Sequence, residues 1–186
     1  LAEENKALKT EINELKEELY QSRELEEQYD WLSQYLELKM QHSDFQMTPA
    51  SVYGRESGNY SRVMILDSGT SEGIQRGMTV MSGSGILGFI SEVGPNWAKA
   101  TTLIESSSSI GAYAERSGVT GIIKGDFSLA SEGLCKMEYL DEDADIKEGD
   151  RILSSGYGSV YPRGLIIGYV EKIELNELSR NITAIV

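Results

Sequence analysis

The chain has 186 residues, room for one ordinary domain or two small ones plus an appendage. Thirty acidic residues against 17 basic ones leave a net charge of −13, which excludes a basic phosphate-binding footprint and disfavours adsorption to anionic lipid or wall polymer. With one His (His42) and one Cys (Cys135), ordinary zinc sites, disulfide scaffolds and Cys–His dyads are excluded within a single chain.

Residues 1–46 contain no glycine and carry a net charge of −7 (12 acidic, 5 basic), whereas all 19 glycines lie between Gly54 and Gly168. The composition therefore changes near 42–49, where His42 and Pro49 sit. In the first segment Leu1, Leu8 and Leu15 fall at heptad d positions, and Asn5, Ile12 and Leu19 at a positions. The spacing slips by a stammer across Ser22 and resumes as Leu25, Tyr29, Leu32 and Leu36. Ile at a with Leu at d favours two strands, and a single Asn at a fixes register. The segment therefore reads as a parallel homodimeric coiled coil, helical to about residue 38, with Asn5, Leu8, Ile12, Leu15 and Leu19 in the interface. Already in phase at residue 1, the seam is expected to continue upstream.

From residue 48 the apolar period becomes two, with Gly-rich turns every 8–12 residues, the pattern of small antiparallel barrels. Strands are expected at 51–55, 62–67, 78–81, 86–93, 99–104, 110–115, 119–124, 135–140, 151–153, 165–173 and 182–186. Self-comparison shows a duplication. Val63-Met64-Ile65-Leu66-Asp67 aligns with Met137-Glu138-Tyr139-Leu140-Asp141, and the run from Gly73 to Ser82 with that from Asp145 to Ser154. The run from Gly85 to Ile90 aligns with that from Gly164 to Val170, one residue longer, and Ala100 to Ile104 with Ile182 to Val186; Asn96 pairs with Asn176. The expected architecture is mainly β: two related small antiparallel β-barrels after an N-terminal coiled-coil helix, with domains at 1–46, 47–116 and 117–186, the last boundary approximate and open to strands shared between the units. Units of about 70 residues are small, so a shared interface is expected.

Three motifs bear on chemistry. Ile65-Leu66-Asp67-Ser68-Gly69-Thr70 has the form of an aspartic-peptidase loop, and one Asp67 per chain of a dimer could make a proton-sharing dyad. A strand-to-turn junction uses the same residue types, and the duplicate carries Asp141-Glu142-Asp143 there instead. Gly83-Ser84-Gly85-Ile86-Leu87-Gly88 fits G-x-G-x-x-G, but a strand follows it where a dinucleotide loop needs a helix. Asp141, Asp143 and Asp145 match EF-hand positions 1, 3 and 5, yet Ile146 and Ile152 replace the required Gly and Glu. Asn59-Tyr60-Ser61 and Asn181-Ile182-Thr183 are formal glycosylation sequons.

Several motifs in order resemble the MreC family of rod-shape-determining proteins. They are Leu66-Asp67-Ser68-Gly69, the run from Gly73 to Val80, Gly85-Ile86-Leu87-Gly88 and Arg116-Ser117-Gly118 with Gly121, Ile122 and Gly125. The run from Gly149 to Gly156 and that from Tyr161 to Gly168 complete the set. The resemblance implies a non-enzymatic scaffold without cofactor, outside the cytoplasmic membrane and anchored there by a single N-terminal helix. By the same resemblance its partners would be MreD, the MreB system, RodA and a class B penicillin-binding transpeptidase. The insertion that distinguishes the second copy holds Tyr157, Val160, Tyr161 and Pro162, candidate anchors of a partner surface. The alternative function is a dimeric aspartic peptidase using Asp67.

Overall fold

In a computed structural model the chain is described over residues 2–56, 62–158, 160–175 and 181–186. It divides into two compact units, Leu1–Met47 and Thr48–Val186. The first is one helix, α1 (Ala2–Gln41), with Glu3 and Glu4 in its first turn and Lys39 in its last, charges that complement the helix dipole. Free of Gly and Pro, its 40 residues extend about 60 Å. A turn in which the amide of Phe45 donates to the carbonyl of His42 ends it, with the His42 ring stacked on Phe45 at 5.1 Å.

Among the described residues the second unit is β and turn apart from one 3-10 helical turn, Thr70–Glu72. Its first sheet contains β1 (Val52–Arg55), β2 (Val63–Leu66), β3 (Thr79–Ser82), β4 (Gly85–Val93) and β5 (Ala98–Thr102), ordered β1-β2-β5-β4-β3 and antiparallel throughout. Leu66, Ile74, Ile90, Ala98 and Ala100 form its core. The second sheet contains β6 (Ser109–Ala114), β7 (Thr120–Gly125), β8 (Cys135–Leu140), β9 (Arg151–Ser154), β10 (Ile166–Tyr169), β11 (Lys172–Leu175) and β12 (Ile182–Ile185). Its order is β10-β9-β6-β7-β8-β12-β11. Because β10 and β11 are joined by only Val170 and Glu171, the two ends of this sheet are halves of one bent strand. The sheet therefore closes on itself, while the first remains a half-barrel with β1 and β3 at its edges.

The duplication is visible in the hydrogen bonds. The amides of Gly77 and Ile90 donate to Ile90 and Met78, and those of Gly149 and Val170 donate to Val170 and Asp150. Gly77 (φ 88°) and Gly149 (φ 86°) make the same left-handed turn. Thr79 faces Phe89 and Val80 faces Gly88; Arg151 faces Tyr169 and Ile152 faces Gly168, each pair of strands then slipping by one residue.

Three expectations need correction. The segment 110–115, expected in the first unit, pairs as β6 with β7 and β9 of the second sheet. The single strand expected at 165–173 is two, broken at the place where β4 only slips its register on β5 between Ile90 and Glu92. The exit strands have no single offset: Val93 faces Ala98 as its counterpart Ile173 faces Ala184, but Leu66 faces Ala98 as its counterpart Leu140 faces Ile182, and neither is the offset of the sequence alignment. Alternating small and apolar residues look alike at every even shift, which leaves this register invisible to sequence comparison. Leu1, the Asn59 sequon and Asn176 lie outside the described residues.

Candidate interaction surfaces

On α1 the heptad positions Asn5, Leu8, Ile12, Leu15 and Leu19 are all exposed, Leu8 to Leu19 by about half of their surface, and Leu25, Tyr29, Leu32 and Leu36 continue the exposed row beyond the stammer. Leu8, Ile12, Leu15 and Leu19, three leucines and an isoleucine left about half in water, forgo part of the roughly 1.5–3 kcal/mol that full burial of each is worth. Off this seam, Trp31 stacks on Tyr35 at 5.7 Å and Lys39 lies over the Tyr35 ring.

The insertion after β9 does not act as one surface. Tyr157 is 86% exposed and Val160 43%, but Tyr161 is only 5% exposed. Its ring meets Phe89 of β4 edge-on at 6.3 Å, and burial pushes its phenol up to about 12. The carbonyl of Val160 accepts from the Thr79 hydroxyl at 3.2 Å. That of Pro162 accepts from the hydroxyl of fully buried Ser154. Tyr161 is thus a packing residue between the two β units, which corrects its expected role as an exposed anchor, while half-buried Pro162 is tied to Ser154 of its own unit. An aromatic in a Gly-flanked insertion reads the same in sequence whether it faces solvent or a neighbouring sheet. Gly85 adds to the junction, lying where a Cβ would come within 2.5 Å of the Ile166 carbonyl oxygen.

The carboxylate motifs resolve into structure. Asp67 Oδ1 accepts from the Ser51 amide at 2.8 Å and the Ser68 hydroxyl at 3.2 Å, and the Ser51 bond holds its carboxyl below the ordinary value. Asp67 thereby ties the entry of β1 to the end of β2, the turn role that its motif permits, and the peptidase reading gains no support. Gly83 to Gly88 form the β3–β4 hairpin. Asp145, third of the EF-hand-like positions, pairs with Arg116 at 2.7 Å instead of turning toward Asp141 and Asp143. No group of three or more His, Cys, Asp or Glu among the described residues is placed to hold a metal ion.

Arg116 forms a clamp on two carboxylates. Its Nε and Nη2 donate to Asp150 at 2.7 and 2.8 Å, and Nη1 donates to Asp145. These bonds raise the guanidinium and lower both carboxyls. Asp150, whose side chain is 7% exposed, also accepts from the Lys147 amide. The fork needs partners 29 and 34 residues distant, a spacing that no local pattern reveals. Tyr139 is a second such case. It lies at φ 61° within β8, beside a register slip against β12, with Lys124 over its ring at 4.8 Å.

A closed barrel joined to a half-barrel narrows the fold, and comparison with known families decides it. The profile of the rod shape-determining protein MreC, barrel core, matches residues 52–186. The chain belongs to the MreC family. The cell shape-determining protein MreC of Listeria monocytogenes is 28% identical over 186 residues, covering 98% of this chain and 62% of the relative. The MreC of Cereibacter sphaeroides is 29% identical over 170 residues, 90% of this chain and 54% of its own. The chain thus spans little more than half the length of these relatives. A solved MreC structure superposes with a TM-score of 0.75 at 26% identity, over 87% of this chain and 90% of its own. The MreC of a Helicobacter pylori complex with penicillin-binding protein PBP2 shares the fold, with a TM-score of 0.60 at 16% identity over 75% and 84% of the two chains.

Proposed function

We propose that this chain is part of a non-enzymatic cell-shape scaffold. The α1 segment, roughly 1–46, pairs two copies in parallel through Asn5, Leu8, Ile12, Leu15 and Leu19, and the two β units, divided before β6, are presented as a pair to peptidoglycan-synthesis proteins. Membership of the MreC family carries this reading, and the exposed heptad row supports the pairing. No helix among the described residues is long and apolar enough to cross a membrane. The proposed location outside the cytoplasmic membrane, on a single-pass anchor, follows the family, as do MreD, the MreB system and RodA as partners.

The partner proposed first is a class B penicillin-binding transpeptidase, the class of protein bound in the Helicobacter pylori complex. Exposed Tyr157 and Val160 remain candidate contacts. Calorimetry of this chain with the ectodomain of its own organism's elongation transpeptidase tests the reading. Saturable binding, weakened at least tenfold by Tyr157→Ala with Val160→Ala, is expected. No binding by a verified dimer would contradict it.

A further inference from the structure

The flanks of the heptad row carry charges that the helix cannot use on itself. With Leu8 and Leu15 at d and Asn5, Ile12 and Leu19 at a, the g positions are Glu4, Glu11 and Glu18, and the e positions are Lys9, Lys16 and Arg23. Three successive g positions are thus acidic and three successive e positions basic, the latter being three of the five basic residues in 1–46. All six side chains are exposed, and none joins an ion pair among the described residues. A helix pairs its own charges at spacings of three and four. No carboxylate lies three or four residues to either side of Lys9 or Lys16, in a segment that holds 12 acidic residues. Each base instead stands five residues after a Glu. Five residues are about 140° apart around one helix, out of mutual reach. In a parallel pair of helices, however, a g side chain of one lies beside the e side chain five residues further on in the other.

We propose that these six residues form a charge ladder whose partner is a second copy of this chain, parallel and in register. Glu4 stands against the partner's Lys9, Glu11 against the partner's Lys16 and Glu18 against the partner's Arg23, on both sides of the seam. This rests on the pairing of α1 proposed above and adds what selects its geometry. In an antiparallel pair g would face g and e would face e, setting Glu on Glu and base on base. A parallel shift of one heptad leaves one Glu on each side without its base. The ladder stops where the spacing slips across Ser22, since the later flanking positions, Glu26, Gln28, Ser33, Tyr35 and Met40, hold no base. The upstream half of the helix therefore sets orientation and register.

Two triple variants of the full chain test this by sedimentation equilibrium. One is Glu4→Lys with Glu11→Lys and Glu18→Lys; the other is Lys9→Glu with Lys16→Glu and Arg23→Glu. Each alone sets like charges along both flanks and is expected to weaken self-association roughly a hundredfold. The first is the sharper test, because each change adds two positive charges and takes the segment from −7 to −1. Relief of general repulsion would tighten that dimer, whereas the ladder requires it to loosen. Mixed one to one, the two variants are expected to form a heterodimer of about native strength. A Glu-to-Lys variant that dimerises as tightly as the native chain, or a mixture that stays unassociated while the native chain dimerises, would overturn the ladder and leave the pairing through Leu8, Ile12, Leu15 and Leu19 standing. A native monomer would overturn both.

Discussion

The two β units repeat one core and differ in how they finish it. Around Ile74 to Ile90 and Ile146 to Val170 the turns, slips and facing residues coincide. The second unit recruits β6 between β7 and β9 and bends the counterpart of β4 into β10 and β11, so its sheet meets itself. Among the described residues the first has no strand in the place of β6, and its sheet ends at β1 and β3. Closure removes exposed edges, while an open half-barrel leaves two to be protected. Here the β3 side is met by the insertion after β9, where the Val160 carbonyl accepts from the Thr79 hydroxyl. The same repeat thus supplies a self-sufficient barrel and a dependent one.

The largest expected effect separates these two at one repeat position. At Gly88 a Cβ would lie 1.9 Å from the Thr101 carbonyl oxygen, backbone that cannot yield, whereas at its counterpart Gly168 the nearest atom is a Val186 methyl at 3.1 Å. Gly88→Ala is expected to cost about 3 kcal/mol or more and Gly168→Ala about 1 kcal/mol or less, measured by urea unfolding. Equal costs would break the comparison.

A second contrast lies one turn earlier, where Met78 of the first unit corresponds to Asp150 of the second. Arg116→Met would leave the nearly buried Asp150 carboxylate without its cation. A clear fall in thermal midpoint is expected, partly restored by adding Asp150→Met, which copies the first unit. Failure of the second change to recover any stability would show that the clamp is not what holds this turn.

Acid should act on the closed barrel through Asp126, whose carboxyl is held down to about 2 by Lys136 and then by Ser128. A lowered carboxylate contributes its stability above the unfolded value near 3.8 and loses it as pH falls toward 2. Asp126→Asn should therefore flatten that part of the pH–stability profile; an unchanged slope between pH 4 and 2 would contradict the assignment.

The smallest effect concerns Cys135. Burial raises its thiol to about 11, and it donates to the Leu103 carbonyl across the junction of the units. It should stay unmodified by a thiol reagent at pH 8 until the chain unfolds, and prompt native labelling would mean the junction is looser than described.

Sequence legibility followed the range of the interactions. Periodicity located α1 and nearly every strand, because heptads and alternation are local. The turns at Gly77 and Gly149 were equally readable, each needing a left-handed residue at a fixed offset. The placement of β6 was not, since only distant pairing assigns it to a sheet. For the same reason the Arg116 fork and the seat of Tyr161 on Phe89, 72 residues apart in sequence, left no local mark. The insertion was visible as an insertion; which of its residues faced inward was not.

The central claim is that α1 pairs two copies of the chain so that their β units are presented together. Sedimentation equilibrium of the whole chain, beside Ile12→Asp with Leu15→Asp, tests it most directly. The account predicts a dimer for the native sequence and a monomer, with its β units still folded by circular dichroism, for the double variant. A native monomer, or a variant dimer of unchanged strength, would contradict it.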